Sequence, residues 1–157
     1  MCKRTYTFET TYNIKLMLTF RPHHFLCTIG FQGLGYSPAF VENYKHIVNL
    51  LQTPKGDQTT IQVVKDTDAI CNPCPHKRQQ LCHYQAKIDK LDQAHSQALD
   101  IQPNDQITWG QAKQKIAQRI SLKVFHEICA PCSWKNLGVC EQALIQLHHQ
   151  FNPTKSN

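Results

Sequence analysis

Eight cysteines in 157 residues are too many for chance and too few for a disulfide-dense miniature scaffold. Six of them fall in two stretches of one pattern, CNPCPHKRQQLC at residues 71–82 and CAPCSWKNLGVC at residues 129–140, both C-x2-C-x7-C. Each stretch follows an isoleucine (Ile70, Ile128), carries a proline inside its Cys-x-x-Cys (Pro73, Pro131) and leads into a helical pattern. A Cys-x-x-Cys turn sets two sulfurs on one side of a tight loop, and a third thiolate from the next helix start can close on the same metal or cluster. Cysteines that merely fill a core do not repeat with identical spacing. Cys71, Cys74, Cys82, Cys129, Cys132 and Cys140 are therefore expected to ligate a metal centre.

Tetrahedral zinc and a cubane cluster each want four protein ligands, and each arm supplies three. His83 could complete the first arm, while the second has no histidine between Cys132 and His148. The segment RPHHFLC (Arg21–Cys27) offers candidates, because His23 and Cys27 are four residues apart and share a face if the segment is helical. Cys27 is the expected seventh thiolate and His23 an expected metal ligand. His24 falls a quarter turn away, suited to hydrogen bonding around the site, and Arg21 could steady an anionic cluster. All-sulfur sites suit iron–sulfur clusters and zinc alike, so both cofactors stay open. The spacing matches neither the paired Cys-x-x-Cys zinc ribbon nor the C-x2-C-x2-C ferredoxin run. A thiol enzyme built on Cys27 and His23 would need a third, orienting group that the sequence does not display.

The elements that must position these residues read as helices. A helix starting at Pro22 is broken by Gly30, Gly33 and Gly35, and Ser37-Pro38 opens a second, with Phe40, Tyr44, Ile47 and Leu51 on one face. Thr60–Val64 reads as a short strand pairing with Lys15–Phe20. Tyr84, Ile88, Leu91, His95 and Leu99 mark a third helix, in which His95 reads as a core histidine. Thr108 and Ser121 cap two more, and Leu144, Leu147 and Phe151 stripe a last one after Cys140. Asp66 and Asp68 suit a turn ahead of Cys71, Trp109 and Trp134 suit core anchoring, and GFQGLGY lacks the preceding strand of a dinucleotide loop. The expected fold is mainly α with minor β: one small domain over residues 17–151, organised as a pseudo-repeated pair of arms each leading into a helix. Residues 1–16, with Cys2, read as a flexible extension and 152–157 as a tail.

The formal charge of +6 counts every cysteine as a neutral thiol, and metal-bound thiolates would bring it toward neutrality. Lys and Arg are spread along the chain with no basic block and no aromatic–basic face, which argues against a nucleic-acid partner. No apolar run approaches a membrane span and no export signal is evident, so a reducing, cytoplasmic setting with thiols free for metal is expected. The partner expected is an unidentified redox or other protein.

Taken together, RPHHFLC, GYSPAFVENY, ICNPCP with Cys82, and ICAPCSW with LGVC and Glu141 resemble the bacterial and archaeal family of domain of unknown function number 1284, over roughly Met17–Leu147. The resemblance implies iron–sulfur binding by the six repeated cysteines and the Arg21–Cys27 segment. It carries over no catalytic residue. The function expected from the sequence is iron–sulfur cluster binding, with electron transfer or redox sensing as its use; the alternative is a structural zinc module that mediates protein or nucleic-acid interaction.

Overall fold

A computed structural model describes residues 17–152; the expected extension with Cys2, and residues 153–157 of the tail, lie outside them. Strand β1 (Leu18–Phe20) leads into α1 (Pro22–Gly30) and α2 (Pro38–Leu51), and the chain returns as β2 (Thr60–Val63). The first arm contains a minimal hairpin, β3 (Lys77–Arg78) and β4 (Leu81–Cys82), and feeds α3 (Gln85–Leu99). Then follow β5 (Gln106–Thr108), α4 (Trp109–Arg119), α5 (Leu122–Ile128), the second arm and α6 (Val139–Phe151). The fold is mainly α with a minor sheet, and both arms run into helices.

The starts form where the sequence chemistry favours them. Pro22 occupies the first turn of α1, where a missing N–H costs nothing. The Ser37 side chain accepts from Phe40 N, and Thr108 and Gln111 make a reciprocal capping box on α4. The Ser121 side chain accepts from Val124 N at the start of α5. Strand β1 pairs in parallel with β2, as the β-branched run at Thr60 suggested, and β5 adds an antiparallel third strand on the other side of β2.

Helices α1, α3 and α6 meet around a core that includes Phe20, Phe25, Leu26, Ile70, Leu99, Ile116, Phe125 and Leu144. Two devices fix the arms on the rest of the fold. The first arm is tethered at its root: Ala69 N reaches Thr19, and Asn43 Nδ2 donates to Ala69 O at 3.0 Å. The second arm is drawn close through Gly30, where an added Cβ would lie 2.7 Å from Cys140 Sγ and 2.8 Å from its Cα. Only a glycine lets α6 approach so near that Cys140 sits beside the last turn of α1.

Candidate metal centre

Both Cys-x-x-Cys turns are closed by the same bond. Cys74 N donates to Cys71 O at 2.9 Å, and Cys132 N donates to Cys129 O at 2.9 Å. Three residues further on, Lys77 N reaches Cys74 O and Lys135 N reaches Cys132 O. The sequence repeat is thus a repeat of backbone geometry up to that point. Beyond it the arms diverge: the first continues as the β3–β4 hairpin with Cys82 on its second strand, whereas the second makes a 3-10 turn (Lys135–Leu137) and places Cys140 in the first turn of α6. Gly138, at φ +74°, provides the left-handed residue between turn and helix.

The second arm is joined by Cys27. Cys27, Cys129, Cys132 and Cys140 line one small cavity, together with Leu26, Phe125, His95 and Lys135. Burial pushes the Cys27 thiol well above its ordinary range, and the neighbouring Cys140, Cys132 and Cys129 push it further. Cys129 is pushed up to about 12 by burial, Cys132 and Cys140, against the opposing charge of Lys135. Cys140 moves in the same direction, from burial and Cys132. As neutral thiols the four groups are compatible with this apolar space, and as thiolates they would need a compensating cation such as a metal or cluster supplies. A raised thiol is the opposite of the depressed one that marks an activated nucleophile. Among the described residues no hydrogen bond joins Cys27 to His23.

His95 stands against this group. Its Nδ1 lies 2.7 Å from Leu91 O and therefore carries the proton, leaving Nε2 to face Cys129 Sγ at 3.6 Å. Burial and the nearby His23 lower its pKa to about 4.

Around the first arm, His24, Asp68 and Cys71 bring their ligand atoms within 4.8 Å of one another, a His/Asp/Cys set able to hold a metal ion. Asp68 is also the organiser of this corner. Its Oδ2 accepts from Arg21 N at 2.6 Å and contacts His24 Nδ1 at 2.5 Å, while Oδ1 accepts from Ile70 N and Cys71 N. Burial alone would raise this carboxyl, but His24 and the backbone N–H groups of Arg21 and Cys71 outweigh it and take it down to about 2. Cys71 is raised by burial and by the Asp68 charge, and Cys74 by burial and by Cys82, with the backbone at His76 opposing. With its acceptor positions committed, Asp68 acts most simply by aiming His24 toward Cys71, the carboxylate–histidine arrangement of many metal sites.

The two neighbouring histidines of α1 thus take different partners. His23 Nδ1 lies 2.5 Å from Asp92 Oδ1, and Asp92 Oδ2 accepts from Arg21 Nε at 2.6 Å, so a buried Arg–Asp–His chain runs from α1 to α3. His23 is lowered by burial and by His24, against the pull of Asp92. The histidine whose ligand atom lies near a cysteine of the first arm is His24, and the backbone N of His83 donates to His76 O across the base of the β3–β4 hairpin. Sequence spacing placed Cys27 and His23 on one face; it could not show Asp92, some seventy residues away, claiming His23, or His24 turning to Cys71.

Among the described residues no helix is long and apolar enough to cross a membrane. No curated protein and no solved structure matches the chain. Residues 35–138 match the family described as Protein of unknown function (DUF1284). The matched span includes the first arm, the second Cys-x-x-Cys and α3 between them, and stops short of Cys140, with Cys27 ahead of it. Covering about two thirds of the chain, the match establishes that this protein belongs to the DUF1284 family.

Proposed function

We propose that the protein is an iron–sulfur protein whose cluster is held by Cys27 together with Cys129, Cys132 and Cys140. The observation that carries this reading is the convergence of α1's lone cysteine on the second arm, which turns a three-ligand arm into an all-thiolate set of four around one cavity. Tetrahedral zinc, with Zn–S of about 2.3 Å, holds its sulfurs about 3.8 Å apart. Among the described residues, the group whose ligand atoms all lie within 4.8 Å of one another is His24, Asp68 and Cys71, a spacing suited to a single ion. Phe125, Leu26 and Leu91 in the cavity wall keep water from the site, and Lys135 offsets its negative charge. Electron transfer or redox sensing in a reducing cytoplasm, with a protein partner, is the use that follows from such a centre.

The zinc reading rests on a separate observation, the mixed His24, Asp68 and Cys71 set, whose nitrogen and sulfur donors suit zinc better than a cluster. In that reading the first arm, with Cys74 and Cys82 nearby, is a structural zinc knuckle. One preparation separates the two. Anaerobic purification from iron-replete cells is followed by a visible spectrum and by iron, acid-labile sulfide and zinc analysis on the same sample. Brown protein with matched iron and sulfide, lost in Cys132→Ser and kept in Cys71→Ser, is the expected result. A colourless, folded protein with stoichiometric zinc and no cluster after reconstitution would overturn the iron–sulfur reading in favour of the zinc module.

A further inference from the structure

A larger cavity, of about 140 Å³, shares Cys27, Cys132 and Cys140 with the cluster cavity as its wall and is lined by His23 and His24 as well. We propose that it binds a small planar aromatic molecule bearing a hydroxyl group, held between aromatic walls and hydrogen-bonded to His23, against the face of the metal centre. The proposal goes beyond the metal reading, whose ligands Cys27, Cys132 and Cys140 form part of the cavity wall.

Size and lining define the ligand's body. A purely apolar cavity of about 150 Å³ takes up benzene, so this space fits a single six-membered ring. Its walls are aromatic and already ordered. Phe31 stacks on Tyr44 with centroids 4.1 Å apart, and Tyr36, held by the Trp134 Nε1–H at 3.2 Å, packs edge-on against Phe40 at 5.3 Å. Preformed aromatic walls recognise a flat ring without the entropic cost of ordering them.

His23 defines the polar end. It is 6% exposed and lines the cavity, and its Nδ1 is committed to Asp92, which is fixed in turn by Arg21. Nε2 is then the ring nitrogen left for a ligand, and among the described residues no hydrogen bond engages it. An aspartate–histidine pair braced by a buried arginine is a large investment in orienting one nitrogen beside an otherwise apolar space. A hydroxyl group meets either state of that nitrogen, donating to the neutral ring and accepting from the protonated one. A bare hydrocarbon leaves it unpaired.

The test titrates phenol and benzene separately into the full-length, metal-loaded protein by isothermal titration calorimetry. Intermolecular nuclear Overhauser effects locate the bound ring. Phenol is expected to bind one to one and about tenfold more tightly than benzene. His23→Phe should remove that preference. Should His23→Phe fail to fold, Leu137→Trp, at an exposed position of the cavity wall, keeps the test: it should weaken both ligands without altering thermal stability. Equal affinity for phenol and benzene, the absence of saturable binding, or contacts outside the cavity would each overturn the proposal. The visible spectrum of the same sample reads the metal centre independently, so phenol binding by a colourless protein would retain this site and reject the cluster.

Discussion

At the scale of single residues, Asp68 shows how one buried carboxylate organises a site from the side. Four groups converge on its two oxygens, and they come from α1, from the chain leading into α1, and from the first arm. Its carboxyl is held near 2 in the fold, against about 4 in an unfolded chain. A depressed folded pKa contributes stability that is fully present above the unfolded value and is lost as pH falls through the folded one, so the window runs from about pH 4 down to about pH 2. The contribution is on the order of 2 kcal/mol. Urea titrations of the metal-free protein at stepped pH should show stability falling through that window, and Asp68→Asn should be less stable at neutral pH with a flatter acid limb. Equal acid slopes for both proteins would deny Asp68 this role. The cysteines were legible because their spacing repeats, and Cys27 because it shares a segment with two histidines. Which histidine serves which arm was not legible, since Asp92 on α3 and Asp68 before the first arm decide it through contacts across 69 and 44 positions of sequence.

At the scale of elements, α1 is the part on which both arms depend. His24 faces the first arm and Cys27, one turn later, the second, so nine residues from Pro22 to Gly30 address two candidate metal-ligand groups. Gly30 sets the distance. Gly30→Ala places a methyl group on Cys140 Sγ and Cα, where backbone on both sides resists displacement. We expect it to destabilise the fold by about 1–3 kcal/mol and to lower metal occupancy of the second arm while sparing His24 and Cys71. Urea unfolding together with metal analysis checks this, and wild-type occupancy in a stable Gly30→Ala protein would show that α6 can move aside. Helix starts were readable because Pro22, Ser37, Thr108 and Ser121 carry local capping chemistry. The β3–β4 hairpin and β5 were not. Each has only two or three residues, too few for a period to register, and Gln79 at φ 54° makes the hairpin turn without the glycine or asparagine that would announce it.

At the scale of the whole molecule, α1 packs on both α3 and α6, and the cysteines of the second arm sit at that junction. Cys27, Cys129, Cys132 and Cys140 bring α1 together with the second arm and the helix α6 that it runs into, parts far apart in the chain. Thiols held in this apolar space are compatible with packing when neutral, yet ligand binding as thiolates gives the fold free energy that the metal-free state lacks. A strong chelator should therefore lower the melting temperature of the loaded protein in proportion to metal removed, and reloading should restore it; a melting curve indifferent to chelation would mean that the core of Phe20, Phe25, Ile116 and Leu144 suffices. The mainly helical class was readable from apolar periodicity over eleven to fifteen residues. The partition of seven cysteines into a group of four and an arm of three was not, because it depends on how α1 lies against α6. The most direct test of that partition is the metal content of Cys27→Ser, purified anaerobically beside wild type and Cys71→Ser. The account predicts that Cys27→Ser loses the metal and colour of the second arm as fully as Cys132→Ser does, while Cys71→Ser retains them. Wild-type metal and an unchanged spectrum in Cys27→Ser would contradict it.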